Sequence, residues 1–424
     1  IPRARHGLSP CGPAPAPAAS LALKPIIAER ALGTQPPQAM KLHSFFNIFG
    51  NSSETKRINS GRRSSNQSSG LASARGRWED CMSNPMTEER LEECQLRIAA
   101  ESKPWVSGHF TFVKKLQDAV RNHGCVNEMQ CPGRSGAMRP VAVKQMPNSW
   151  MTEGPMEFRR TYPHTPERPW YDIAIVSELN RIGFPYVCDF LGVFRDVEKT
   201  FVVTSLATCG DLFSWCDGDP RPGVEREVRM LPIAAQIFHG VRWLHEFGIA
   251  HRDLSLENIL LCGSENGLSI KLIDFGMATL AKTCRKQVRG KQSYQAPEMH
   301  LDAEYDTFLT DVFALGVTLF AMAAQDYPWT STKRNGCQLN EYVCMFGFRK
   351  FLEKRKLRKG SGEHLVDVFS PAFVELLEGL LHRQPRCRFS LGEQCFSREA
   401  TGSCRRSAWE TRWLEGVETS QISF

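Results

Sequence analysis

His251-Arg252-Asp253-Leu254-Ser255-Leu256-Glu257-Asn258, then Ile273-Asp274-Phe275-Gly276, then Ala296-Pro297-Glu298: these three stretches, in this order, decide the reading of the chain. The first sets a carboxylate, Asp253, five residues ahead of an amide, Asn258. The second sets another carboxylate, Asp274, ahead of a glycine whose backbone is free to turn. Between them lies enough chain for a short hairpin. A carboxylate that accepts a proton, with an amide oxygen and a second carboxylate for a cation, makes a coherent set of parts.

Working outward, the pattern before these stretches differs from the pattern after them. Phe110, Phe112 and Val113 resemble a first strand, and Val141-Ala142-Val143 reads as a short buried strand ending in Lys144. Residues 147–169 form a long, proline-punctuated connection. Helical periodicity resumes over 170–181, where Ile173, Val176 and Leu179 share a face. Residues 187–194 and 200–204 then read as a strand pair. Beyond Gly210 the periodicity is helical over 211–216, 229–247, 310–324 and 373–382. Strands first and helices later predict an α+β fold.

Transfer of a phosphoryl group from a nucleotide needs few parts: something to hold the phosphates, cations to bridge them, and a carboxylate to orient the attacking hydroxyl. Asp253 is expected to be that base, and Asn258 and Asp274 the metal ligands. With Ala296-Pro297-Glu298 closing the segment, the chain from about His109 to Phe396 resembles the eukaryotic protein kinase family, and Tyr294-Gln295-Ala296-Pro297-Glu298 is most like its Ser/Thr members. The resemblance implies a bilobal fold, with a small β-rich N-lobe over 106–204 and a larger helical C-lobe over 208–396. It implies ATP and Mg2+ as cofactors, and transfer of the γ-phosphoryl group to Ser/Thr hydroxyls of protein substrates.

The same resemblance places further residues. Lys144 in Val-Ala-Val-Lys is expected to meet the α/β-phosphates. Its acidic helix partner is counted to Asp172, with Glu178 as the alternative. Thr204 falls at the gatekeeper, and Ser205, Leu206 and Ala207 at the hinge that binds adenine. Asp211 falls at the ribose. Val126, Ala142 and Leu260 are expected to sandwich the adenine ring, and Val176, Phe190, His251 and Phe275 to stack as a regulatory column. Asp311 is expected to tie the catalytic-loop backbone to a central helix, and Glu298 to pair with Arg388. Arg252, ahead of the base, is the family's contact to a phosphorylated loop residue. Thr279, Thr283 and Ser293 are candidates for that residue, while the usual position holds Gln287.

Two departures qualify the resemblance. The glycine-rich loop aligns with Ala119-Val120-Arg121-Asn122-His123-Gly124-Cys125-Val126, in which only the third glycine, Gly124, remains. Glycines there let backbone N–H groups approach phosphate without a Cβ clash. Arg121 offers a side-chain charge instead, or is a surface arginine in a slack loop. Ser255 stands where Ser/Thr kinases carry a lysine, and Lys291 is the residue able to return that charge in space. These losses keep a second reading open: a pseudokinase scaffold that binds nucleotide or partners with little or no transfer. The intact Lys144, Asp253, Asn258 and Asp274 favour the enzyme.

Composition bounds the rest. The 424 residues are 42% hydrophobic and 23% charged, an ordinary globular balance. The net charge of +7 is modest for this length, and no nucleic-acid partner is expected. The 15 cysteines contain no Cys-x-x-Cys pair, which argues for reduced thiols and a cytoplasmic or nuclear location. No apolar run reaches the ~18 residues that span a bilayer, and the longest, 312–324, suits a buried helix. Residues 1–105 are expected to be a disordered or low-complexity extension, with a short helix over 88–100 and Met40 a plausible start. Residues 106–396 are expected to form the domain, and 397–424 a C-terminal tail. The basic run over 348–359 reads as a solvated helix face.

Overall fold

A computed structural model describes residues 85–133, 136–264, 267–358, 362–398, 402, 405–415 and 417. The expectations for residues 1–84, including the start at Met40, lie outside the described residues. Helix α1 (Glu88–Ala100) is capped by the Thr87 hydroxyl, which accepts from the Arg90 N–H at 3.2 Å. A six-stranded sheet follows, built from β1 (Lys103–Pro104), β2 (Thr111–Ala119), β3 (Gly124–Pro132), β4 (Met138–Pro147), β5 (Phe190–Arg195) and β6 (Lys199–Ser205). Its order is β1-β5-β6-β4-β3-β2, with β1 parallel to β5 and every other pairing antiparallel.

The pleat of β4 explains how the sheet serves a site. Side chains alternate across a strand. Val141 and Val143 point into a small core with Met129, Phe201 and Val203. There the Trp105 ring stacks on Phe110 at 4.2 Å and on Phe201 at 3.9 Å between ring centroids. Ala142 and Lys144 therefore face the other way and line the cleft under the sheet.

The proline-punctuated connection holds two short helices, α2 (Asn148–Met151) and α3 (Pro155–Thr161), which its prolines had masked. Pro155 occupies the first turn of α3, where a missing N–H is harmless. Next comes α4 (Pro169–Arg181), again with proline in its first turn and with Ile173, Ala174, Ile175 and Leu179 buried.

The C-terminal part is helical. It comprises α5 (Leu212–Cys216), α6 (Val224–Glu246), the hairpin β7 (Ile259–Ser264) and β8 (Gly267–Leu272), the pair β9 (Thr283–Arg285) and β10 (Glu304–Asp306), then α7 (Thr307–Ala324). Four further helices complete it: α8 (Gln338–Phe346), α9 (Phe348–Lys354), α10 (Leu365–Val368) and α11 (Pro371–Leu380). The α+β, two-part expectation agrees with this architecture.

Three expectations need correction. Residues 85–105 are packed structure, because α1 buries Leu91, Cys94 and Ile98 and lies against α4. The tail expected from residue 397 is packed over 405–415. Trp413 is buried and donates to Glu227 at 3.1 Å, and the Trp409 indole donates to the Leu391 carbonyl at 3.1 Å. Finally, the apolar stretch is longer than 312–324: α7 is an 18-residue helix long and apolar enough to cross a membrane, the one such helix among the described residues, and it is wholly buried, as the buried-helix reading of 312–324 expected. Asp306 caps it by accepting from the Phe308 and Leu309 N–H groups.

Candidate active site

The catalytic loop is held from below. Asp311 on α7 accepts the backbone N–H of His251 at 2.7 Å and of Arg252 at 2.8 Å. The same carboxylate meets His245 Nε2 at 3.2 Å, and His245 Nδ1 lies 2.7 Å from Glu393 Oε1. Burial alone would lower the His245 pKa, but hydrogen bonds to Asp311 and Glu393 and their charges raise it to about 9. His245 is therefore a buried imidazolium at neutral pH, and no motif or spacing sets it apart from the other histidines. Further out, the Arg388 guanidinium makes a two-pronged pair with Glu298, at 2.6 and 2.9 Å.

Above this base, the expected site residues converge on a cleft of ≈ 570 Å³ between the sheet and the helical part. Val126 and Ala142 line it from β3 and β4, and Leu260 from β7. Thr204, Ser205, Leu206, Ala207 and Asp211 run along its rim. Asp211 also caps α5, accepting from the Ser214 N–H at 2.8 Å. Lys144, Asp172, Asp253, Asn258 and Asp274 line its inner end.

Between Asp172 and Glu178, the geometry decides for Asp172. Lys144 Nζ lies 3.2 Å from Asp172 Oδ2, and Asp172 Oδ1 accepts the Phe275 N–H at 2.8 Å. Glu178 faces the opposite side, where Arg90, Arg97 and Arg181 all reach it. Burial works against the Lys144 charge, but the carboxylates of Asp172, Asp274 and Glu167 more than offset it and hold its pKa above the ordinary lysine value. Asp274 sits in the left-handed region at φ 67°, a strained placement typical of functional positions. The His251 and Phe275 rings approach to 4.8 Å, and Val176 and Phe190 line the same cleft.

Two expected residues lie elsewhere. Gly124 does not line the cleft. A Cβ built on it would stand 1.8 Å from the Gln145 carbonyl oxygen, so this glycine lets β3 pass close to β4 rather than letting a backbone approach phosphate. Arg252 points to the activation segment, donating to Gln287 Oε1 there at 3.2 Å, and to the Tyr305 hydroxyl on β10 at 2.9 Å. Gln287, at the usual phosphosite position, thus already occupies Arg252.

The two departures acquire partners. Lys291 Nζ donates to Ser255 Oγ at 2.7 Å and lies 2.9 Å from Glu257 Oε2, so an ammonium stands over the position where the lysine is missing. Arg121, on the 120–122 turn between β2 and β3, reaches down to Asp253, with Nη1 2.6 Å from Oδ2. Glu167, Asn122 and the contact of Trp150 with Asn122 join the site without any signal in the sequence. The buried Glu167 accepts from Asn122 Nδ2 at 3.0 Å, and Trp150 Nε1 donates to Asn122 Oδ1 at 3.4 Å. Nothing local marks Glu167, which stands between Pro166 and Arg168 in the connection.

The donor set suits a divalent cation. Asp274 Oδ1 is buried without a hydrogen-bond partner among the described residues. The Asn258 amide nitrogen is spent on Asp253, at 2.7 Å to its carbonyl and 3.2 Å to its carboxylate, which leaves the amide oxygen for a cation.

A protein-family model described as "Protein kinase domain" matches residues 136–399. The chain belongs to the protein kinase domain family. The match begins after β3, so the altered phosphate-covering turn lies outside it. Serine/threonine-protein kinase chk1 of Schizosaccharomyces pombe is 30% identical over 215 residues, 49% of this chain and 39% of that protein. Serine/threonine-protein kinase SBK1 of Danio rerio is 32% identical over 167 residues, 38% of this chain and 42% of that protein. Testis-specific serine/threonine-protein kinase 3 of Mus musculus is 34% identical over 139 residues, 32% of this chain and 49% of that protein. The kinase chain thus spans less than half the length of each of these relatives.

Proposed function

We propose that this kinase transfers the γ-phosphoryl group of ATP to Ser/Thr hydroxyls of protein substrates. The observation that carries the reading is the Lys144–Asp172 pair, joined through Asp172 to the Phe275 N–H, in one cleft with Asp253, Asn258 and Asp274. Asp253 accepts the hydroxyl proton, and Lys144 orients the phosphates. Asn258 and Asp274 are the residues that would hold Mg2+, which when bound neutralises charge on the phosphates. Lys291 supplies positive charge beside the base in place of the lysine absent at Ser255. The Ser/Thr class rests on the 294–298 segment and on the similarity to serine/threonine-protein kinases. Activity without loop phosphorylation follows from Gln287 occupying Arg252. A cytoplasmic or nuclear location, expected from cysteine usage, belongs to the same proposal.

One observation favours the second reading, a nucleotide-binding scaffold: Arg121 occupies the carboxylate of the base. The experiment is Mg2+-dependent nucleotide binding followed by phosphate transfer to a peptide library, with wild type and Asp274→Asn. Transfer by wild type that is lost in the variant supports the enzyme. Tight nucleotide binding with no transfer by wild type overturns it.

A further inference from the structure

The 120–122 turn covers the cleft without the glycines that usually let a backbone wrap phosphate, yet it is firmly placed. Its anchor is Glu167, from the loop ahead of α4. Glu167 and Asn122 are each only 3% exposed. Glu167 Oε1 accepts from Asn122 Nδ2 at 3.0 Å, and Oε2 stands 3.9 Å from Arg121 Nη1. On its other side the carboxylate rests on Gly276, where an added Cβ would come within 2.3 Å of Oε1. One side chain therefore links the covering turn to the segment that carries Asp274.

We propose that Glu167 is a positioning residue for phosphoryl transfer: its carboxylate clamps the turn through Asn122 and aims the Arg121 guanidinium at the place where the phosphoryl group meets Asp253. This rests on the enzyme reading above. A buried carboxylate facing a guanidinium and an amide replaces, through side chains, the hold that glycine backbone gives elsewhere. The arrangement is costly unless it is used. Glu167 Oε2 has no hydrogen-bond partner among the described residues, and a buried, underpaired carboxylate opposes folding. A purely structural support at this place would be better made from apolar side chains of similar volume.

The test uses the full chain with Glu167→Gln, Glu167→Ala, Asn122→Ala and the double variant Asn122→Ala/Glu167→Ala. Steady-state kcat and KM for ATP, nucleotide Kd by titration and unfolding midpoints are measured for each. Glu167→Ala is expected to raise the ATP KM and Kd about tenfold and to lower kcat by a similar factor, as loss of a clamped phosphate contact would. Glu167→Gln keeps an oxygen for Asn122 but no charge for Arg121, so KM should stay within about threefold while kcat falls. Asn122→Ala should reproduce the KM effect, and the double variant should add little to either single change, because both break one contact. Multiplying effects in the double variant overturn the proposal. So does a folded Glu167→Ala, or a folded Asn122→Ala where Glu167→Ala fails to fold, with ATP KM and Kd within about twofold of wild type. If wild type itself transfers no phosphate, the enzyme reading fails, and the nucleotide Kd series still decides whether Glu167 holds the turn.

Discussion

Replacing His245 by glutamine should change how stability depends on pH, and the structure sets the size. The imidazole lies between the Asp311 and Glu393 carboxylates with no exposed side-chain surface, stacked on Phe308 at 4.3 Å. Its pKa is raised from 6.5 to about 9, because those two hydrogen bonds and charges outweigh burial. A raised pKa means the folded state binds the proton more tightly than the unfolded chain. The stabilisation is complete below about pH 6.5, and it is lost as pH climbs through about 9. At about 1.4 kcal/mol per pH unit, the whole effect is about 3 kcal/mol. Urea unfolding of wild type and His245→Gln at half-unit steps from pH 7 to 10 is the assay. Wild type should lose stability with a slope approaching ~1.4 kcal/mol per unit around pH 7.5–8.5 beyond any slope in the variant. Titration of exposed lysines and tyrosines is common to both and cancels in the comparison. Parallel curves for the two proteins over that window would refute the imidazolium. Because Asp311 also holds the His251 and Arg252 N–H groups, catalytic turnover in wild type should decline over the same alkaline range.

Three other changes give separate checks. Lys291→Met removes the ammonium over Ser255, and peptide kinetics should show kcat falling about 10–100-fold, less than for a fully enclosed charge because Glu257 and solvent already screen it. Moving the charge back with Ser255→Lys/Lys291→Thr should recover most of that loss; a double variant as poor as Lys291→Met argues against the replacement. Gly124→Ala forces a Cβ into the Gln145 carbonyl, which is backbone and cannot swing away, so thermal unfolding should register a loss of about 1–3 kcal/mol or more. An unchanged midpoint would mean the β3–β4 approach is looser than described. Arg388→Ala strands the buried Glu298 carboxylate and should cost about 3–5 kcal/mol by urea titration, whereas a surface pair would cost under about 1 kcal/mol.

The parts of the site legible in the sequence were those whose meaning is local. Asp253 and Asn258 sit in one short loop, and Asp274 owes its posture to the residues beside it. Asp172 could be counted from the periodicity of α4, because helix geometry fixes which residue faces the cleft. The parts that were not legible depend on partners far away in the chain. Asn122, Trp150 and Glu167 come from a turn, a short helix and a loop far apart in the chain and carry no shared pattern. Gly124 was read by its place in a motif, while its actual constraint is the strand lying against it. The two short helices at 148–151 and 155–161 were hidden because prolines read as breaks, although proline in a first turn favours a helix. The packing of 405–415 was missed because it rests on single tryptophans rather than a periodic stripe.

Helix α1 has a consequence for how the cleft can open. Its Arg90 guanidinium grips Glu178 on α4 at 3.1 Å and lies 5.5 Å over the Phe247 ring at the end of α6, while the Met86 N–H donates to the Phe247 carbonyl at 2.9 Å. The two halves are therefore joined at the back as well as along the 205–207 strip in front. A second fastening resists separation of the two halves, so the cleft is held closer than the 205–207 strip alone would hold it. Removing residues 1–102 would unfasten one edge, and nucleotide association should then quicken while the Lys144–Asp172 distance, free of its brace, becomes variable. Equal association rates with and without the helix would show that the rear fastening carries no mechanical weight.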